Sequence, residues 1–266
     1  MIDRDYMRTD PRAYGPPRAL TCIVVLTVAC FFIEGVVLGR VSAGALHFFA
    51  LTPEHVFRRG FVWELLTHVL LHQPFHYGHI LFNMLALWWF GDEIERIFGS
   101  KRFAALYVGG AVASGLLYAG LGMLSDPARP AIGASGAVMT VLVLAAIYTP
   151  GRQVLLFWFI PVPIRWLVAF YILVDAYTLA SGMETGTAIA AHLGGALFGY
   201  LFHLWSTRET KAARRDAGSR VSPTDARADA RVDAVLEKIS REGMGSLTLE
   251  ERKILEEASR RKQSRS

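Results

Sequence analysis

Cysteine is nearly missing from this chain. Of its 266 residues only Cys22 and Cys30 are cysteines, both inside one apolar run, so there is no disulfide framework and no metal-ligand spacing between them. Charge is also scarce. Charged residues make up 19% of the chain against 53% hydrophobic, and the mean hydropathy is +0.33, too apolar for an ordinary soluble domain of this length. The scarcity is local: Ala19 to Leu38 carries Glu34 as its only charge, whereas from Trp205 to Ser266 nearly every second or third residue is charged. The formal net charge is +5 and the pI near 9.4. The basic residues lie in the termini and in connections between apolar runs, which marks membrane orientation and excludes a nucleic-acid reading.

At about 20 apolar residues per span, the pattern predicts an all-α membrane protein with six helices near 18–40, 79–97, 103–123, 134–149, 164–182 and 187–205. An even number places both termini on one side. Arg96, Lys101, Arg102, Arg152 and Arg165 follow the second and fourth helices, and both termini are Arg-rich, so that side is cytoplasmic. The first run follows a basic start (Arg4, Arg8, Arg12, Arg18) and imitates a signal peptide with Ala43-Gly44-Ala45 as its cleavage site. Its length, and Arg40 standing before that site, favour a retained helix.

The connection from 41 to 78 mixes Phe48, Phe49, Phe57, Phe61 and Trp63 with histidines and Arg58–Arg59, a composition suited to the headgroup interface. Leu155 to Ile164, broken by Pro161 and Pro163, is expected to skim the cytoplasmic face. The chain then divides into a cytoplasmic segment 1–17, a six-helix domain 18–205, a polar linker 206–223 and a cytoplasmic helical hairpin 224–266. In the hairpin, Val232, Val235, Leu236 and Ile239 fall at helical spacing and Gly243 and Gly245 end the helix. Thr248 and Glu251 form a capping box for a second helix carrying Ile254, Leu255 and Ala258. With so small a core this unit is expected to be marginal alone or to dock on a cytoplasmic partner.

The fourth helix is too short to span. Pro150–Gly151 limits one end and Gly133, after Pro127 and Pro130, limits the other. Ser135 to Tyr148 covers about 20 Å, against a hydrocarbon core of about 30 Å. The helix therefore starts below the outer surface, and the non-helical backbone leading into it must line protein or a water-filled cavity. There sits Gly133-Ala134-Ser135-Gly136, a serine in the first turn, where free N–H groups and the helix dipole favour an oxyanion. Small residues around a serine are equally at home in plain helix packing.

On the sixth helix Ala191, Gly195 and Gly199 repeat every four residues, a close-packing face, and His192 borders it. An intramembrane histidine facing the interior, packed on the fourth helix, reaches Ser135 as a general base. The bland alternative is a histidine satisfied by a backbone carbonyl. No acid accompanies His192 on its own helix, and Asp175 on the fifth is read as a structural cap or partner, which leaves a serine–histidine dyad. His79 and Asn83, four apart on the second helix, are candidate oxyanion donors together with the Ser135 N–H, although either residue alone also serves to bridge helices. His68, His72, His76 and His79 have a metal-like spacing, but Pro74 breaks the helix and no carboxylate joins, so neither a metal nor any other cofactor is expected.

Taken together, His79-xxx-Asn83, Gly133-x-Ser135-Gly136 and Ala191-His192 with Gly195 and Gly199 resemble the rhomboid intramembrane proteases. The loop Gly91-xxx-Glu95-xxx-Gly99-Ser100-Lys101-Arg102-Phe103 and the aromatic first outer loop also match, over about residues 18 to 205. The resemblance implies a six-helix bundle with a serine–histidine dyad in a cavity open to the outside, cutting transmembrane helices of other proteins near their outer ends. By motif position it implies Ser135 as nucleophile, His192 as base and acid, and His79 and Asn83 as oxyanion stabilisers. It also implies that the fifth helix and the loop from Ser181 to Thr187, with Gly182 and Gly186, act as lateral gate and cap.

Two positions depart from the family pattern. Where an aromatic residue often stacks on the histidine, one turn after the nucleophile, stands Met139, and the next position, commonly small, is Thr140. The terminal hairpin resembles an appendage of some bacterial rhomboid-like proteins. A non-catalytic rhomboid-like protein that binds transmembrane helices is the nearest rival, though its natural members tend to lose the serine or histidine. A transporter is disfavoured by the absence of an inverted repeat and of a second broken helix. The compact plan without a transit peptide points to a bacterial inner membrane.

Overall fold

In a computed structural model, which describes residues 18–38, 48–73, 77–156, 159–182, 189–219 and 223–264, α1 (Arg18–Leu38) begins where its first N–H groups meet a carboxylate. Glu95 Oε1 accepts from the N–H groups of Arg18 and Ala19, each at 3.0 Å, and Oε2 accepts from Leu20 at 2.9 Å. Glu95 lies on α2 (Tyr77–Phe98), and one turn earlier Gly91 leaves room for Leu20, whose Cδ1 would stand 2.9 Å from a Cβ there. The Gly91, Glu95, Gly99 spacing thus combines a close contact, a cap for the neighbouring helix's free donors and a turn into α3 (Ser100–Ser125), made by Gly99 at φ +80°. Glu95→Ala strands three donors at once and is expected to cost about 1–3 kcal/mol. Glu95→Gln keeps one acceptor oxygen and should lose less, as thermal midpoints in detergent would read.

The remaining long helices are α4 (Ser135–Tyr148), α5 (Ile164–Ala180) and α6 (Ile189–Ser219). Among the described residues, Arg18–Gly35 within α1 and Ser100–Ser125 are long and apolar enough to cross a bilayer by length and composition, and α4 is an equally apolar but shorter helix of 14 residues. Its shortness goes with its position: α4 packs on α2, α3 and α5, and every residue from Gly136 to Val141 is buried. A helix apolar all round is what a site enclosed on every face requires.

The connection between α1 and α2 folds into single helical turns at His55–Arg59, Glu64–Thr67 and His68–Leu70. Phe61 and Trp63 stack there with ring centroids 4.5 Å apart. The stretch expected to skim the membrane is a β-hairpin, β1 (Gln153–Leu156) pairing antiparallel with β2 (Ile160–Pro163). The prolines in β2 fit an edge position, where a missing N–H costs no ladder bond.

The chain divides into two units, Met1–Leu204 and Trp205–Ser266. The expected linker 206–223 is helical as far as Ser219, as a continuation of α6, because Ala, Lys, Arg and Glu between 207 and 217 are strong helix formers and Gly218 is the first breaker. In the second unit α7 (Pro223–Glu242) and α8 (Leu249–Ser264) are tied by Lys238 to Glu251 at 2.9 Å. The Thr248 N–H donates to Glu251 Oε2 at 2.7 Å, which draws the Glu251 carboxyl below its usual range. Segment 1–17, residues 39–40, the site at 43–45, Pro74, His76, Gly186 and the loop 183–188 lie outside the described residues.

Candidate active site

Ser135 is the first residue of α4, and its placement is decided upstream. Leu51 and Ala131 exchange N–H···O bonds of 2.9 and 2.8 Å, and the Gly133 N–H donates to the His68 carbonyl at 2.9 Å. Gly133 sits at φ +122°, where side chains are disfavoured, and a Cβ there would also stand 2.9 Å from His79 Cε1. The connection between α1 and α2 is therefore a template for the backbone entering α4. Its hub is Glu64, fully buried, which accepts from the Thr52 N–H and bonds His55 Nδ1, both at 2.8 Å. The Glu64 carbonyl accepts from His68 Nδ1–H at 2.7 Å. Composition had marked this connection as interfacial, and nothing in it singled out Glu64.

Glycines bring α4 and α6 into contact. A Cβ on Gly195 would collide with the Gly136 carbonyl oxygen, and one on Gly199 would lie 2.9 Å from the Thr140 carbonyl oxygen. On the facing helix, a Cβ on Gly136 would lie 2.5 Å from Ser114 Cβ and 3.1 Å from the Ala191 carbonyl oxygen. The Ala191, Gly195, Gly199 face thus meets α4 as its spacing predicts. Thr140 Oγ1 donates to the Gly195 carbonyl at 2.8 Å, so this departure from the small residue adds an interhelical hydrogen bond.

His192 Nε2 lies 2.8 Å from Ser135 Oγ. Its other ring nitrogen, Nδ1, lies 2.9 Å from Asp175 Oδ2, so the partner of the acid read as a structural cap or pair is the histidine itself. Asp175 is 17 residues from His192 in sequence, and α5 presents it to the ring across the helix–helix gap. One turn earlier, Tyr171 places its ring 5.6 Å from the imidazole at an interplanar angle of 38°. The aromatic neighbour of the histidine therefore comes from α5, while Met139 is buried in the main core cluster. The side chains form a serine–histidine–aspartate chain in which a hydroxyl proton has an acceptor and the imidazole a fixed partner.

Of the expected oxyanion donors, His79 lies against Gly133, and Asn83 has His72 as its neighbour. Asn83 is buried and its Nδ2 faces His72 Nε2 at 3.4 Å; the same nitrogen accepts from the Ala134 N–H at 3.4 Å. The His72 and His79 ring centroids are 5.3 Å apart. Burial, and after it the nearby His79, lower His72 to about 4, which leaves a neutral ring with a lone pair for those donors. Burial likewise lowers His68 to about 4. Both must charge to titrate in the fold, whereas in the unfolded chain they do so near 6.5. Their contribution to stability is thus present above about pH 6.5 and is lost as pH falls towards 4. We expect thermal stability in detergent to drop across that window, and the drop to be shallower for His68→Gln.

A Rhomboid domain model matches residues 59–208, more than half the sequence, and the chain belongs to the rhomboid family of integral membrane proteins. Mitochondrial RHOMBOID-like protein 12 of Arabidopsis thaliana is 34% identical over 154 residues, 53% of this chain and 45% of that protein. Mitochondrial Rhomboid protein 1 of Saccharomyces cerevisiae is 35% identical over 148 residues, 54% and 42% of the two chains. Rhomboid protease GluP of Bacillus subtilis is 31% identical over 128 residues, 48% and 24%. The chain matches less than half the length of each of these relatives. Two are mitochondrial by name, so the expectation of a bacterial inner membrane draws no support from them. A family of unknown function (DUF6576) matches residues 226–261.

Proposed function

We propose that this protein is an intramembrane serine endopeptidase that cuts transmembrane segments of other membrane proteins. The observation that carries this reading is the 2.8 Å approach of His192 Nε2 to Ser135 Oγ at the start of a short, enclosed helix. His192 takes the hydroxyl proton as Ser135 Oγ attacks the scissile carbonyl carbon. The oxyanion formed is held by the Ser135 N–H at the positive end of α4, by the Asn83 amide and by His79. His192 then delivers its proton to the leaving amine as the C–N bond breaks. Water, deprotonated by the same imidazole, cleaves the serine ester and restores Ser135.

In this reading α1 to α6 are the six spans, both termini lie on the Arg-rich cytoplasmic side, and the site opens outward above the short α4. A substrate segment must leave its helical hydrogen bonds to present an extended peptide, which favours helices weakened near their outer ends. The residues 224–266 carry α7 and α8 in the cytoplasm and offer a surface to a partner there; deleting 221–266 is expected to alter substrate choice or expression while Ser135 stays reactive.

The test uses purified full-length protein in detergent, a fluorophosphonate probe and a panel of labelled single-span substrates with small residues near the outer boundary. Labelling of the wild type at Ser135 and cleavage, both absent from Ser135→Ala, are expected. A wild type that folds yet neither labels nor cleaves any substrate would sink the reading in favour of a non-catalytic helix-binding protein.

A further inference from the structure

We infer that Asp175 is a positioning residue for His192, so that α5 supplies this chain with the third member of a serine–histidine–aspartate relay, supported by Tyr171; the inference rests on the proteolytic reading proposed above. Three observations carry it. His192 has two ring nitrogens, and Nε2 serves Ser135 only if it bears the lone pair, which requires the proton on Nδ1. Asp175 Oδ2 stands 2.9 Å from Nδ1, where a carboxylate accepts that proton's hydrogen bond and no other tautomer does as well. Both side chains are enclosed, Asp175 at 10% and His192 at 8% side-chain exposure, so water competes little for either.

The second element is orientation. Tyr171 lies one helical turn before Asp175 and sets its ring against the imidazole, 5.6 Å away and tilted by 38°. Two groups from one helix thus restrain the ring about different axes: the carboxylate holds its edge and the phenol ring its face. The α4 position one turn after the serine offers Met139, a flexible thioether that specifies a ring plane poorly. Restraint missing from α4 is therefore provided by α5.

A structural tie between α5 and α6 would also explain a hydrogen bond, so the test needs readouts that such a tie leaves unmoved. Asp175→Asn, Asp175→Glu and Tyr171→Ala are to be compared with wild type for kcat and KM on one cleaved substrate. The tautomer of His192 is to be read by 15N NMR of histidine-labelled protein at a pH where the ring is neutral, the signal assigned with His192→Gln. Asp175→Asn is expected to lower kcat on the order of 10²- to 10⁴-fold with KM little changed, because the wrong tautomer disables chemistry and not binding. Asp175→Glu should recover part of the loss, and the Nδ1-protonated signature should dominate in wild type and weaken in Asp175→Asn. Tyr171→Ala should lower kcat by less and keep the tautomer. Retention of both kcat and the Nδ1-protonated signature in Asp175→Asn would overturn the inference. A tautomer that shifts in Asp175→Asn of a protein that neither cleaves nor labels would uphold the aspartate's hold on the ring and sink the protease reading alone.

Discussion

Ser135→Ala is expected to reduce cleavage by on the order of 10⁶-fold, His192→Ala by nearly as much, and the double substitution by no more than the worse single one. The reason is the 2.8 Å Oγ–Nε2 contact: the serine is a weak nucleophile until its proton has an acceptor, and the imidazole has nothing to do without the hydroxyl. Two groups that act as one unit lose their effect once, and free energies of the single changes do not add. The donors proposed for the oxyanion, the Ser135 N–H, Asn83 and His79, remain in both variants. A small residual rate above that of water is therefore expected, and Asn83→Ala on the wild-type background should cost about 10²- to 10³-fold, the scale of one lost oxyanion donor. Single-turnover cleavage in detergent, with melting curves to verify folding, reads all four proteins. Additive losses in the double variant would mean that Ser135 and His192 act separately, and the shared proton would then be wrong.

The parts of this site that follow from spacing along one helix were legible in the sequence. The Ala191, Gly195, Gly199 period puts three small residues on one face, and Pro150–Gly151 with Gly133 bounds α4 at a length shorter than a bilayer; both depend on nothing outside the segment itself. Asp175 is read from the sequence as a structural cap or partner; that its partner is His192 depends on how α5 is rotated against α6, which no spacing within either helix fixes. A signal is nevertheless present: an acid in an apolar helix demands a partner, and His192 is available. The use of His72 as a neutral acceptor from the Ala134 N–H is not legible either, since it depends on how the connection between α1 and α2 folds against α4. Glu64 lay in a stretch read only by its composition. The extension of α6 to Ser219 was hidden because a polar run rich in Ala, Lys, Arg and Glu is as good a helix as an apolar one, and hydropathy reports only the second.

Gly195→Ala should be the most damaging single change outside the reacting groups. A methyl there meets backbone first, the Gly136 carbonyl oxygen, with the Thr140 Oγ1 side chain 3.3 Å away, and Gly136 is the residue after Ser135. Backbone cannot rotate away as a side chain can, so α6 must retreat from α4, and overpacking of this kind costs about 1–3 kcal/mol. The effect on cleavage should exceed what that loss of stability explains, because retreat of α6 carries His192 away from Ser135 and a 1 Å misplacement can cost about 10²-fold. It also stretches the Thr140 bond to the Gly195 carbonyl, a polar clamp that joins the same two helices as the Ser135–His192 and Tyr148–His203 contacts. Gly199→Ala, whose Cβ would stand 2.9 Å from the Thr140 carbonyl oxygen but two turns from His192, should lose stability with less loss of rate. Gly120→Ala, on α3 with nothing within 4 Å of the added carbon, is the control: it should leave cleavage unchanged and stability equal or higher by up to about 1 kcal/mol. If Gly195→Ala folded and cleaved like the control, the close approach of α4 and α6 would not be what holds the histidine to the serine.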